Sequence, residues 1–354
     1  MNKICLISRK FDANSGSGEW VYAAKLKDEL KKRGYFINII EQKKSGSKEK
    51  RYTKFFHDWI KIPFLCIYYY IFKKIKTFHF LSENQGLVIP ILNMLGANTI
   101  VTFYDLMRIW GGKETSDKRY FKFIYYMASK AKKIHCISSE TKRDLLNFFN
   151  TNSKIKIIPV NCREFYPLTK NKIKNIIGYI GALTIRKRPE KFLEIAKEIS
   201  NQKLNYNIIL WGKGEEKMKL EKKYPFLKLK GFALEKDLNK IYNSFDFFVF
   251  PTSYEGLGLP IIEASMCGVP SFIYADAKIP DEIKDLCIIC KDSKELIKKI
   301  DNLKKNKLKY FNLKKGLIKK SKNFSFKQNI KELVSFYDVE NGKERKEKNH
   351  KNKF

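Results

Sequence analysis

Short apolar runs alternate with stretches of helical periodicity along most of the chain, and the alternation begins twice. The first series opens with Lys3 to Ser8, which reads as a buried strand, and after a Ser/Gly-rich turn Glu19 to Arg33 carries apolar residues at helical spacing, closed by Gly34. Runs at Tyr35–Ile40, Thr99–Tyr104, Lys133–Ile137 and Lys154–Pro159 follow, separated by helical stretches. Strands joined by crossover helices pair in parallel, so this series predicts one Rossmann-like domain. A looser polar stretch from Cys162 to Lys174 intervenes, and then the same grammar returns. Its strands are expected at Ile176–Ile180, Asn207–Trp211, Leu227–Lys230, Phe247–Phe250, Ser271–Tyr274 and Leu286–Ile289. The expected fold class is α/β with two Rossmann-like domains, whose ligands belong at the carboxyl ends of the strands.

The 354-residue length agrees with two domains of roughly 150 residues each. Hydrophobic residues make up 44% and aromatic residues 14%, enough for two cores despite 31% charged residues. Lys and Arg outnumber Asp and Glu by 72 to 37, so the surface attracts phosphates, anionic lipids or nucleic acid. The seven cysteines lack framework spacing and Met1 to Cys5 lacks signal-peptide character, which together point to the cytoplasm. Cys287 and Cys290 are expected to be strand residues, because no second pair or nearby His completes a metal site. No apolar run reaches about 18 residues, so no spanning helix is expected.

Chemistry concentrates at Glu255-Gly256-Leu257-Gly258-Leu259-Pro260-Ile261-Ile262-Glu263, after the strand at Phe247–Phe250. Proline suits the first helical position, which places Pro260 at the helix start and Glu263 in the first turn, with Glu255 in the loop. Gly256 and Gly258 let backbone approach a ligand, and the amides of the loop and helix start form an anion site. A diphosphate held between two carboxylates that accept from hydroxyls describes a nucleotide sugar. Taken alone, the glycines fit an ordinary turn better than a ligand site.

The whole segment resembles the E-x7-E motif of the family-four retaining GT-B glycosyltransferases (glycosyl transferases group 1), with one spacer residue fewer between Ser253 and Glu255. Gly178 to Pro189 resembles that family's glycine-and-lysine element, and the resemblance places Lys187 and Gly181 at the donor, with Arg186 or Arg188 supplying a second charge where Ala182 stands in place of a frequent Arg. Trp211 to Glu215 resembles its Gly-x-Gly-x-Glu turn, and Lys230-Gly231-Phe232 the segment lining the base. Gly16-Ser17-Gly18 resembles its N-terminal glycine pair. Val101 to Leu106 resembles its Val-x-His-Asp-Leu element, with Tyr104 in place of the His, so that Tyr104 and Asp105 face the acceptor; Asp105 is equally suited to capping the segment that follows.

The resemblance implies a GT-B architecture: an acceptor domain at 1–162, a donor domain at 163–320, a closing helix at 321–340 that returns to the first domain, and a basic tail at 341–354 expected to be flexible. It implies retaining transfer from a UDP- or GDP-linked sugar to a glycan or lipid-linked acceptor in cell-surface polysaccharide or glycoconjugate synthesis, without a metal ion or other cofactor. Donor contacts would come from Gly16, Gly18, Gly181, Lys187, Gly231, Phe232, Glu255, Gly256, Leu257, Gly258, Leu259 and Glu263. The catalytic set would be Glu255, Lys187, Arg186 and Asp105. Phe55 to Lys76 mixes aromatic, aliphatic and basic residues and fits either a core helix or a surface resting on the anionic inner face of the cell membrane. Two other readings stay open, a silent sugar-nucleotide binder and a nucleic-acid-binding protein, although the lysines are spread along the whole chain and no nucleic-acid motif is visible.

Overall fold

The structure, a computed structural model, describes residues 3–15, 17–41, 56–110, 118–161, 163–168, 173–214 and 228–338. Gly16, Cys162, Glu215, Leu227 and the tail at 341–354 lie outside the described residues.

Among the described residues twelve strands form two six-stranded parallel sheets. The first contains β1 (Lys3–Ser8), β2 (Phe36–Glu41), β3 (Thr77–Phe80), β4 (Asn98–Phe103), β5 (Lys133–Cys136) and β6 (Lys154–Ile157), in the spatial order β2-β1-β3-β4-β5-β6. The second contains β7 (Ile176–Ile180), β8 (Asn207–Trp211), β9 (Lys228–Leu229), β10 (Phe247–Val249), β11 (Ser271–Tyr274) and β12 (Cys287–Cys290), ordered β12-β11-β10-β7-β8-β9. The sequence reading omits β3, whose Thr77-Phe78-His79-Phe80 is buried from Phe78 onward, histidine included.

The helices that matter below are α1 (Gly18–Lys32), α2 (Ile62–Ile71, entered through a π turn at His57–Lys61), α3 (Ile89–Met94), α4 (Lys118–Ala128), α5 (Ser139–Phe148), α6 (Leu238–Ser244), α7 (Leu259–Met266), α8 (Asp281–Lys284) and α9 (Phe326–Asp338). One apolar cluster covers a face of the first sheet with Ile4, Leu6 and Val21 and runs through Ile158 and Val160 into the second domain. A separate cluster, including Cys5, Phe78, Val101 and Ile134, fills the other face of the first sheet. The closing helix α9 returns to the first domain, where Tyr337 meets His79 and the Phe336 carbonyl accepts from Lys133 Nζ at 3.0 Å.

Cys290 is buried and Cys287 partly so, both as strand residues of β12. Phe55 lies outside the described residues, and the stretch from Phe56 to Lys76 is neither wholly core nor wholly surface. Ile62 and Cys66 of α2 are buried in the first domain, whereas Phe56, Ile60, Phe64, Tyr68, Ile71 and Phe72 are exposed.

Candidate active site

The loops that leave β1 and β4 in one domain and β7, β8 and β10 in the other meet at the carboxyl ends of both sheets. β10 ends at Val249, and the chain then turns through Glu255 to α7. Gly258 caps that helix with φ +88°, a left-handed conformation that a side chain disfavours, and this turn starts the helix at Leu259. The start is one residue earlier than the sequence suggests, so Pro260 is the second helical residue and Glu263 the fifth, beyond the first turn. Glu263 is only 2% exposed, and its charge is met by side chains instead of solvent.

Glu255 is buried beside two cations. Its Oε1 forms an ion pair with Lys187 Nζ and accepts from Thr252 Oγ1 at 2.6 Å and from Arg186 Nη1 at 3.1 Å. All three partners converge on that one oxygen, and among the described residues no donor is given to Oε2. Burial works against the charge, but Lys187 and Arg186 outweigh it and hold the carboxyl below its ordinary value. Burial likewise lowers the Lys187 ammonium against the pull of Glu255, and that ammonium lies 4.5 Å from the centre of the Phe250 ring. Arg188 turns elsewhere: it donates to the carbonyls of Pro251 and Thr252 and pairs with Asp276, so Arg186 is the arginine at Glu255. Among the described residues, the amides of Gly256, Leu257, Gly258 and Leu259 donate to no protein acceptor. These amides and Glu255 Oε2 form a row of unused donors next to an unused acceptor.

Beside this row is a cavity of about 360 Å³ whose walls include Gly181, Trp211, Lys213, Phe232, Pro260 and Glu263. Gly181 follows β7, and Phe232 follows Gly231, which has φ +77° and whose carbonyl accepts from the Gly212 amide at 2.7 Å. Three further wall residues, Arg163, Glu235 and Tyr242, carry no motif that sequence reading detects. Arg163 donates to Glu263 Oε1 at 2.8 Å, and Tyr242 donates to Glu263 Oε2 at 2.7 Å. A charged residue in the polar connector between two domains is the one available hint at Arg163. Among the described residues no group of three His, Cys, Asp or Glu side chains is arranged to hold a metal ion.

The facing wall comes from the first domain. Gly18 begins α1 opposite Leu259, whose Cδ1 would be 2.9 Å from a Cβ at that glycine. Gly256 lies against the Tyr104 carbonyl, only 2.4 Å from where its Cβ would be, so a side chain there would wedge the domains apart. Asp105 Oδ1 accepts from the Met107 amide at 3.1 Å, a capping bond at the start of Met107–Trp110. Asp105 also lies across from Gly256, within 3.4 Å of that Cβ position. Burial raises the Asp105 carboxyl against the Met107 amide, Arg186 and Arg108. Burial, with Asp105 and Glu19 nearby, pushes Glu83 up to about 8, while Glu83 accepts from the Tyr104 amide at 3.1 Å. A second link crosses between domains at Ser139 of α5, whose amide donates to Glu282 of α8 at 2.9 Å.

The comparisons fit this geometry. Residues 163–324 match the family model described as glycosyl transferases group 1. O-antigen chain mannosyltransferase B of Escherichia coli is 25% identical over 215 residues, 54% of this chain and 56% of that protein. The UDP-Gal:alpha-D-GlcNAc-diphosphoundecaprenol alpha-1,3-galactosyltransferase of Escherichia coli is 27% identical over 183 residues, 46% and 47% of the two chains. The chain thus spans about half the length of the curated relatives it matches. Among solved structures, sucrose-phosphate synthase from Thermosynechococcus elongatus superposes with a TM-score of 0.79 at 17% identity, covering 95% of this chain and 98% of that one. That likeness establishes the GT-B fold. Residues 163–324, the stretch similar to the glycosyl transferases group 1 family, carry Glu255, Glu263 and most of the cavity wall.

Proposed function

We propose that the protein is a retaining glycosyltransferase that moves a sugar from a nucleotide-diphosphate sugar to a glycan or lipid-linked acceptor in cell-surface polysaccharide synthesis. One observation carries the reading: two buried carboxylates, Glu255 held by Lys187 and Arg186 and Glu263 by Arg163, flank a run of amides that donate to no acceptor among the described residues. A diphosphate fits the amides at the start of α7, where the helix dipole favours negative charge. Glu255 Oε2 then accepts from a hydroxyl of the transferred sugar, and Glu263 accepts from the ribose. The relatives, an O-antigen chain mannosyltransferase and a transferase using UDP-Gal and a diphosphoundecaprenol-linked sugar, support both the donor class and the acceptor class.

In this reading the bond between the anomeric carbon and the diphosphate oxygen breaks as the acceptor oxygen bonds to the same face of that carbon. The acceptor proton passes to the leaving diphosphate. Arg186, Lys187 and the amides meet the growing phosphate charge without a metal ion, because preorganised donors of this kind are strongest where charge develops. Asp105, on the facing wall, orients the acceptor hydroxyl together with Tyr104.

We place the work at the cytoplasmic face of an anionic membrane. The support is a stripe of exposed side chains at every fourth position, Phe56, Ile60, Phe64, Tyr68 and Phe72, between 38% and 69% exposed. Phe123 of α4 extends it through its stack on Trp59, with ring centres 6.0 Å apart, and exposed Lys73, Lys74, Lys76, Arg119 and Lys122 fringe it. A patch of this kind, apolar with a basic rim, suits an anionic bilayer.

A thermal-shift screen against UDP- and GDP-sugars, followed by turnover of the stabilising donor, tests the donor reading. At least one donor should raise the melting temperature, and Glu255→Gln should cut the turnover of the folded protein about a hundredfold. Stabilisation without any turnover would mark a silent binder, and no stabilisation by any donor would refute the assignment.

A further inference from the structure

Arg163 belongs to the connector between β6 and β7, yet its guanidinium lies in the wall of the donor cavity. Nε and Nη2 donate to Glu235 Oε1 and Oε2 at 2.8 and 2.7 Å, a two-pronged bond that fixes the guanidinium plane. Nη1 reaches Glu263 Oε1 at 2.8 Å. The backbone is fixed as well: Asn161, fully buried, accepts from the Arg163 amide at 3.3 Å and donates to the Arg163 carbonyl at 3.2 Å and to the Phe324 carbonyl at 3.0 Å. Burial works against the Arg163 charge, but Glu263 and Glu235 outweigh it and the guanidinium is held more firmly protonated than usual.

We propose that Arg163 is a positioning residue for nucleotide recognition, which holds Glu263 turned so that its two oxygens accept from the 2′- and 3′-hydroxyls of a ribose. The proposal rests on the reading of Glu263 as the ribose carboxylate. A carboxylate 2% exposed is costly to bury unless its charge is paired and hydrogen-bonded, and Arg163 supplies that partner at a fixed angle. Arg163 and Tyr242 each occupy one oxygen of Glu263, and an ionised carboxylate has room for about four donors, so two positions remain for a vicinal diol. The fork to Glu235 prevents the guanidinium from turning into the cavity, where it would compete with the ligand. The group is thus a device for telling ribose from deoxyribose. If the three side chains only brace the connector against the second domain, weakening the brace weakens every nucleotide equally.

Binding of UDP, GDP and their 2′-deoxy counterparts to the full chain, measured by calorimetry for the wild type and Arg163→Met, separates these outcomes. The wild type should prefer the ribonucleotide by about tenfold or more, the range of a hydrogen bond to a charged group. Arg163→Met should reduce that preference to within about threefold. A folded Arg163→Met protein that keeps the wild-type preference overturns the role of Arg163 while leaving Glu263 at the ribose. A wild type that binds the nucleotide without preference overturns Glu263 as the ribose carboxylate, and binding of neither nucleotide overturns the donor site itself. Should Arg163→Met not fold, Glu235→Gln loosens the fork and should reduce the preference part of the way, and an unchanged preference there counts against the proposal.

Discussion

Lys187 and Glu255 are each 7% exposed, and each is the other's main compensation for leaving water. Replacing one partner of such a pair strands the other charge, at a cost of about 3–5 kcal/mol, whereas neutralising both removes the penalty. Lys187→Met should therefore lose stability in urea denaturation, and Lys187→Met combined with Glu255→Gln should recover much of that loss. Strictly additive costs would show that the two side chains do not compensate one another. Glu255 and Lys187 are legible in the sequence because both belong to local patterns, a glycine-rich helix start and a basic loop after a strand. Arg163 is not, because its meaning depends on Glu235 and Glu263, 72 and 100 residues further along the chain. No local pattern encodes a contact of that separation.

Eleven of the twelve described strands announce themselves as apolar runs, most plainly the inner ones such as β4 and β11, which are covered on both faces. β3 is hidden because it follows a lysine-rich run and carries a histidine that reads as polar but is fully buried. The stretch before it is ambiguous for a related reason. A helix apolar all round fits a core, and only the tertiary structure shows that one side of α2 faces water. If that side meets an anionic bilayer, the protein should float with vesicles containing anionic lipid at low salt and separate from them at high salt. Phe64→Ser with Phe72→Ser, at side chains 67% and 69% exposed, should weaken flotation several-fold and leave donor turnover in solution unchanged. Equal flotation of the variant, or none for the wild type, would remove the membrane reading.

The first domain and the closing helix are tied together through a buried polar chain that dictates its own protonation. The Ile158 carbonyl only accepts, so His135 Nε2, 2.6 Å away, carries a hydrogen. In the neutral ring His135 Nδ1 must then accept, from Thr102 Oγ1 at 3.0 Å, and Thr102 in turn accepts from His79 Nε2 at 2.9 Å. His79 Nδ1 is left to accept from the Tyr337 hydroxyl of α9 at 2.6 Å. One neutral tautomer of each histidine thus joins β3, β4 and β5 to the last helix. Burial lowers His135 to about 4 and, with His135 nearby, holds His79 well below its ordinary value. An unfolded histidine titrates near 6.5, so this contribution is fully present above that pH and is lost as the pH falls from about 6.5 towards 4. For His135 alone the loss at pH 5 is on the order of 2 kcal/mol. Glu83, pushed up to about 8 by burial, acts in the opposite sense: a raised carboxyl favours the folded state as the pH falls. The bare pH profile therefore mixes the two effects, and a difference separates them. His135→Gln keeps a donor for Ile158 and the carboxyl contribution but cannot titrate. The stability gap between the wild type and His135→Gln should narrow by about 2 kcal/mol between pH 7.5 and pH 5, as read from urea unfolding at each pH. Parallel profiles would mean that His135 is not held neutral in the folded protein.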